Sequence, residues 1–213
     1  MERGMSRAKW IWLGALAALY ASFWVWYGGN GDPLDEAEAQ GLIAQMEEAY
    51  GGSLADAPEG SMLRNLANMA PYDDGREFYA VNLEQLNSGP DAQAADRRYA
   101  DAVFPMLFKR AGHPVFLGER AGLMLGTYGR DVDRVAVVRY RSLRDLFDMI
   151  LDPAMQLSSD DKFASLEHTE VFIVRPFISL VQVRLLAGLM FALLAIAGLF
   201  AIGRFQRKGA DGA

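Results

Sequence analysis

The sequence predicts an α+β domain held between two transmembrane helices, on the basis of three observations. Two apolar blocks without a charged residue, 10–27 and 185–203, lie near the two ends of the chain. Between them, segments of alternating apolar residues are interspersed with segments of helical periodicity. The outer flanks of the blocks are basic, whereas the region between the blocks is acidic.

The two apolar blocks each approach the ~20 residues that a helix needs to cross the hydrocarbon core of a bilayer. A core helix of that length in a soluble protein would have a polar face, and neither block has one. We therefore expect transmembrane helices at 10–27 and 179–203. The alternative for the first block is a cleaved signal peptide. Its aromatic end, with Trp24, Trp26 and Tyr27, favours a retained interfacial anchor.

The charge distribution predicts the orientation in the membrane. Residues 28–178 contain 25 Asp and Glu against 14 Lys and Arg. The outer flanks contain Arg3, Arg7, Lys9, Arg204, Arg207 and Lys208. Because cytoplasmic flanks retain positive charge, we expect the tails 1–9 and 204–213 in the cytoplasm, the central domain in the periplasm, and the chain in a bacterial inner membrane. Membrane lipid is then an expected partner. Nucleic acid is not, since the acidic domain would repel its phosphates.

Motifs for catalysis or cofactor binding are not evident. The chain has no cysteine, which excludes disulfides and thiolate metal sites. Its two histidines, His113 and His168, have no second ligand at helical spacing, so we expect neither a metal nor another cofactor. There is no Gly-x-Ser-x-Gly nucleophile motif and no phosphate-binding loop. A non-enzymatic protein is therefore favoured, with an enzyme as the alternative.

The segment 28–72 predicts a helical extension. Asp32-Pro33 is typical of a helix start, and Gly51-Gly52 of a helix end. Ser61 is expected to cap a shorter helix that stops at Pro71.

The segment 73–178 predicts four strands and two helices. We expect strands at 77–86, 114–120, 134–141 and 169–175. One helix is expected at 91–111, and the other from Ser142 to just before Pro153. The order β-α-β-β-α-β is the ferredoxin-like arrangement, which predicts an antiparallel sheet with both helices on one face.

Residues 76–176 resemble domain-of-unknown-function (DUF) family 1330, in the segments EFYAVNLEQL, YADAVFPMLFKRAGHPVFLGE and VAVVRYRSLRDLFDMILDPAMQ…FASLEHTEVF. That family belongs to the dimeric α/β-barrel superfamily. The resemblance implies a homodimer whose two sheets face each other, and it implies no established activity. One departure is Asp161-Lys162, where the family often has His-Arg. The matching residues are Asn82, Tyr99, Pro105, Arg141, Ser142, Phe147, Asp152, Pro153, Gln156, Leu166, Glu167 and Thr169.

Four polar residues in the apolar strands are the candidate ligand-binding residues: Tyr79, Asn82, Arg139 and Arg141. A polar group buried in a sheet needs a partner. That partner is either an internal hydrogen bond or a ligand carboxylate. The sheet face away from the helices must also be covered, by a second copy or by the N-terminal helices. We expect a second copy, which would leave a lined cavity near Asn82 and Arg139.

The expected function is a membrane-anchored extracytoplasmic module for binding or assembly. The resemblance implies one alternative, a small-molecule enzyme of the cofactor-independent monooxygenase or isomerase type. A further alternative is an accessory subunit whose spans pack against a larger membrane complex. The fold alone does not choose among them.

Overall fold

The computed structural model of the chain describes residues 5–29, 31–178 and 182–211, with side chains up to residue 206. It divides into two compact units. One contains the terminal helices, in Met1–Gly28 and Ile178–Ala213, and the other is Gly29–Phe177.

The terminal unit is an antiparallel pair of helices, α1 (Arg7–Gly28) and α7 (Val183–Asp211). Nε1 of Trp12 donates to the carbonyl of Leu194 at 3.3 Å, and the hydroxyl of Tyr20 donates to the carbonyl of Arg184 at 3.2 Å. A side chain at Gly198 would overlap the indole of Trp12, so this glycine permits the close approach of the two helices. Both helices are long and apolar enough to cross a membrane.

Two further helices open the Gly29–Phe177 unit, α2 (Glu36–Tyr50) and α3 (Met62–Met69). The first begins three residues later than Asp32-Pro33 predicts. Asp35 is the N-cap, because its side chain accepts from the amide of Glu38 while Glu38 reaches back to the amide of Asp35. Gly51 ends the helix in the left-handed conformation, with φ of 68°. Ser61 caps α3 as expected.

The remaining elements form the sheet and its covering helices. They are β1 (Phe78–Leu86), α4 (Pro90–Lys109), β2 (His113–Glu119), β3 (Arg134–Tyr140), α5 (Leu143–Ile150), α6 (Pro153–Ser165) and β4 (Leu166–Val174). All strand pairs are antiparallel, in the order β2-β3-β1-β4. The predicted α+β class and four-stranded antiparallel sheet are confirmed. The helix α6 was not predicted, and β4 starts three residues earlier than expected.

The main core lies between the sheet and the helices α2, α3 and α5. Phe147 of α5 is completely buried there. Phe78 and Tyr140, directly opposite each other on β1 and β3, stack with ring centroids 5.4 Å apart. The other buried members of this core are Leu34, Ala39, Ile43, Met46, Leu66, Ala70, Leu143 and Ile150. The N-terminal helices therefore pack on the helix side of the sheet.

The opposite side of the sheet, which we name the open face, is partly exposed and apolar. Phe116 on β2 is 55% exposed and Phe172 on β4 is 45% exposed. By strand register, its apolar members are Val81, Leu83, Phe116, Val135, Val137, Phe172 and Val174. None of them belongs to the core that contains α2 and α3.

Candidate functional site

Tyr79 and Arg139, two of the predicted binding residues, lie directly opposite each other on the open face. The Arg139 side chain is 1% exposed. Its Nε donates to Oε2 of Glu77 at 2.8 Å, and its Nη1 donates to the carbonyl of Ala111 at 2.8 Å. These internal partners satisfy a buried guanidinium without a ligand.

Asn82 and Arg141, the other two predicted residues, lie elsewhere. Asn82 faces the helices, and its Nδ2 donates to the carbonyl of Ala136 at 3.1 Å. Arg141 follows the end of β3, and its Nη2 donates to Oδ1 of Asp145 at 2.7 Å. The structure thus brings Tyr79 and Arg139 together on one side of the sheet and places Asn82 on the other side. A ligand-binding role for each of the four stays a prediction.

A second group of polar side chains, which we name the helix-side polar cluster, lies between the sheet and the helices α4 and α6. Its members are Glu84, Asp96, Tyr99, Arg134, Tyr140, Lys162 and Thr169. Arg134 is the cross-strand partner of Glu84, and its Nε donates to Oε2 of that residue at 2.6 Å. Both Nη atoms of Arg134 donate to the Asp96 carboxylate at 2.8 Å. These hydrogen bonds hold the pKa of Asp96 below its usual range.

Lys162 differs from Arg134 in having no such partner. It lies in the last turn of α6, with Nζ 5.6 Å from the ring centroid of Tyr99. Its sequence neighbour Asp161 is bound by Arg98 instead, with Nε to Oδ1 at 3.0 Å. No hydrogen bond or ion pair to Lys162 occurs among the described residues. Surrounding protein lowers the pKa of Lys162 by displacing water, and the negative charge of Glu84 opposes this only in part.

One hydroxyl of the same cluster is buried without a hydrogen-bond partner within the described ranges. Oγ1 of Thr169, which lies opposite Glu84 in the sheet register, is buried and unpartnered. Tyr99 and Tyr140 pack against a second, smaller group of buried residues, Val103, Met106, Leu107 and Met149, and Tyr140 also stacks on Phe78. Burial raises the pKa of Tyr140 to about 12, and it raises the pKa of Tyr99 as well. Both phenols are therefore neutral hydrogen-bond donors at physiological pH.

The sheet next to this cluster has a solvent-exposed edge. Asn82, Ala136 and Val171 share a row on the helix side, one from each of three adjacent strands. Val171 is 45% exposed, although this side of the sheet contains the core. The β4 edge is therefore solvent-exposed at Val171, whereas Oγ1 of Thr169, two residues earlier on the same side, is buried.

Sequence reasoning did not identify this cluster as a site. Its members come from β1, α4, β3, α6 and β4, and only the three-dimensional fold brings them together. One signal was present, since Asp161-Lys162 is the point at which the chain departs from the family it resembles.

An open groove of about 490 Å³ is present among α2, α5 and the end of α4. Its lining includes Lys109 and two arginines, and the arginines have internal partners. Arg110 binds Asp148 and Asp152, and Arg144 binds Glu38. Among the residues that the structure describes, no group of His, Asp or Glu is arranged to hold a metal ion. The helix-side polar cluster is thus the better candidate site.

Comparison with known proteins shows the fold alone. A crystal structure of a protein of unknown function from Rhodopseudomonas palustris matches with a TM-score of 0.50 and 20% identity, over 58% of this chain and 97% of that one. A NIPSNAP domain protein from Burkholderia xenovorans matches at 15% identity over 48% and 98% of the two chains. The cofactor-independent oxygenase SnoaB from Streptomyces nogalater matches at 14% identity over 50% and 99%. The last two have TM-scores of 0.35, which are too low to bear on this chain.

No family model matches the sequence, and no curated protein matches it. The resemblance to DUF family 1330 therefore stays a prediction.

Proposed function

We propose that this chain is an extracytoplasmic binding module, anchored in a bacterial inner membrane by a helix at each end. The observation that carries the proposal is the antiparallel pair α1 and α7, whose large apolar side chains point outward. Ile11, Leu193 and Phe200 are all exposed in the pair. Apolar surface of this extent is unfavourable in water and is accommodated by lipid.

The antiparallel pairing also supports the proposed topology. Nε2 of Gln206 donates to Oγ of Ser6 at 2.9 Å, so the two basic tails leave from the same end of the helix pair. At the other end, the guanidinium carbon of Arg184 lies 4.7 Å from the ring centroid of Trp24. Aromatic and cationic residues of this kind are typical of the membrane interface. The basic tails favour the cytoplasmic side.

Homodimerisation through the open face is part of the proposal. The face is apolar and exposed, and the N-terminal helices pack on the other side of the sheet. An apolar patch of this kind marks an interaction surface. The resemblance to DUF family 1330, with its implied sheet-to-sheet dimer, supports the same assignment.

Binding is favoured over a purely structural role because the Thr169 hydroxyl of the helix-side polar cluster is buried without a partner among the described residues. There are two alternatives, an accessory subunit of a larger membrane complex and a small-molecule enzyme. Mild extraction tests the accessory subunit, since a co-purifying multi-spanning protein would favour it. Turnover of a bound compound would favour the enzyme.

The topology is tested with single cysteines, because the natural chain has none. Ser6→Cys and Ala210→Cys should resist a membrane-impermeant thiol reagent in intact spheroplasts, whereas Ser88→Cys should react. All three should react after detergent lysis, which is the control for accessibility. A reactive tail together with a protected residue 88 would overturn the proposed orientation. A mature chain that begins after residue 20 would show that the first helix is a cleaved signal.

A further inference from the structure

We infer that Arg184, near the start of α7, binds the phosphodiester group of an anionic phospholipid. This inference rests on the anchoring part of the proposed function, since it names a lipid that the paired helices would hold. The residues that carry it all belong to the terminal unit.

The first step concerns the charge of Arg184, which has no counter-ion in its own unit. It is the single charged residue of 10–28 and 178–203. The unit has two acidic residues, but Glu2 precedes the start of α1 and Asp211 is the last residue of α7. With 29 residues, α7 is about 43 Å long, so the carboxylate of Asp211 is far from Arg184. None of the ion pairs among the described residues includes Arg184.

The second step concerns the surroundings of the guanidinium, which lies in what we name the arginine cradle, formed by Trp24, Tyr27 and Gly28. Its central carbon is 4.7 Å from the ring centroid of Trp24 and 5.6 Å from that of Tyr27. A Cβ atom at Gly28 would overlap Nη2 of Arg184, so this glycine makes room for the guanidinium. The Nε atom is buried and has no hydrogen-bond partner among the described residues. The rings stabilise the cation without supplying a negative charge, and the loss of water strengthens its attraction for an anion.

The third step concerns the chemistry of the anion. A guanidinium has five N–H donors in a planar fork that matches the oxygens of a phosphate, and stacking on a ring leaves the donors at its edge available. At a membrane surface, the phosphodiesters of the lipid head groups are the anions within reach. One cation calls for one negative charge. Phosphatidylglycerol has this net charge, whereas the phosphate of phosphatidylcholine is already balanced by its own choline.

The fourth step concerns the apolar part of the ligand. Next to the guanidinium, Leu185 is 64% exposed and Leu186 is 65% exposed, and Trp24 is also exposed. Acyl chains would cover these side chains, and a free phosphate would cover none of them. The cradle therefore fits a lipid better than a soluble anion.

The test uses the full chain in dodecyl maltoside, incubated with an equimolar mixture of phosphatidylglycerol and phosphatidylcholine that have the same acyl chains. The lipid retained after removal of free lipid is measured by mass spectrometry. We expect a preference of about fivefold for phosphatidylglycerol, as for one cation near an anionic membrane surface. Equal retention of the two lipids would overturn the inference. Displacement of phosphatidylglycerol by an equal concentration of inorganic phosphate would also overturn it, since the cradle would then bind a soluble anion.

The variant Arg184→Gln identifies the residue responsible, and we expect it to lower the preference by about fivefold. Arg204→Gln is the matched control, because it makes the same substitution at an exposed position near the other end of α7. We expect it to lower the preference by less than about twofold, since Arg207 and Lys208 remain beside it. Equal losses from the two substitutions would show a general attraction of the cations for anionic lipid and would reject the site.

A second pair of variants tests the cradle with the charge of Arg184 in place. Trp24→Leu removes the ring over the guanidinium, and we expect it to lower the preference by about twofold. Trp10→Leu replaces an exposed tryptophan at the other end of α1 and should leave the preference unchanged. An unchanged preference in Trp24→Leu would reject the cradle, and this pair decides the question if Arg184→Gln does not fold.

The cysteine-labelling experiment is independent of these results. Equal retention of the two lipids together with the expected labelling would reject the lipid site and leave the anchoring proposal intact. A preference that depends on Arg184, together with the opposite labelling pattern, would reject the proposed orientation and leave the lipid site intact.

Discussion

At the scale of single residues, the polar side chains of this sheet fall into two kinds. Arg139 and Arg134 have internal partners for their charges, through Glu77 in one case and through Glu84 and Asp96 in the other. The Thr169 hydroxyl is buried and has no partner among the residues described here. The first kind stabilises the fold, and the second kind leaves a hydrogen-bonding group unsatisfied.

Asp96 provides a pH-dependent test of the first kind. Hydrogen bonds from Arg134 depress the pKa of Asp96 in the folded state. A carboxyl with a depressed folded-state pKa contributes stability above its unfolded pKa of about 3.9, and this contribution is lost as pH falls through the folded value. We expect Asp96→Asn to lower the urea midpoint at pH 7 and to reduce the fall in stability from about pH 5 to pH 2.

The matched control for Asp96→Asn is Asp101→Asn, which removes a carboxylate from an exposed position of the same helix. Its stability should follow that of the natural protein at every pH. If the profile of Asp96→Asn did the same, the ion pair with Arg134 would contribute nothing to stability.

Residue patterns identified unusual polar positions in the strands, but they did not identify the partners of those positions. Alternation identified Asn82 and Arg139 as unusual, and both are indeed within the sheet. It did not reveal that they face opposite sides, because that depends on the pairing of Asn82 with Ala136 and of Tyr79 with Arg139. Nor could it reveal the Ala111 carbonyl as a partner, since this lies at the end of a different element.

At the scale of secondary structure, the helix α6 is the main element that sequence analysis did not predict. Asp152-Pro153 was interpreted as the end of the preceding helix. It also begins the next one, because Oδ1 of Asp152 accepts from the amide of Ala154 at 3.0 Å and Pro153 occupies the first turn. The low amphipathicity of the segment gave no periodic signal. The predicted start of strand β4 is also too late, because β4 directly follows the unpredicted helix α6.

The cap of α6 can be tested by Asp152→Ala. The substitution removes the N-cap and the contact of Asp152 with Nη2 of Arg110 at 3.2 Å. We expect a loss of about 1–2 kcal/mol in the free energy of unfolding, measured by urea denaturation. Asp160→Ala, at an exposed position within α6, should change stability by less than about 0.5 kcal/mol. An equal effect of the two substitutions would contradict a capping role for Asp152.

At the scale of the whole molecule, the exposed open face determines the expected assembly. Phe172 is an exposed apolar member of this face on the edge strand β4. We expect Phe172→Asp to convert a homodimer into a monomer, because it would place a charge inside an apolar interface. The mass of the protein in nanodiscs or mild detergent measures this directly. Leu157→Asp, on the exposed side of α6, is the control and should leave the mass unchanged; a natural protein that is already monomeric would reject the dimer.

The antiparallel pairing of α1 and α7 has a consequence for the folding of the unit between them. If both helices stay paired in the bilayer, the two ends of the Gly29–Phe177 segment are held together even when that segment is unfolded. The helix pair then acts as a cross-link, which restricts the conformational freedom of the unfolded chain and leaves the native contacts as they are. A disulfide that closes a loop of similar length is worth about 4–5 kcal/mol in the chain-entropy model. This chain, which has no cysteine, would thus gain from its paired membrane helices the kind of stabilisation that secreted domains gain from disulfide bonds.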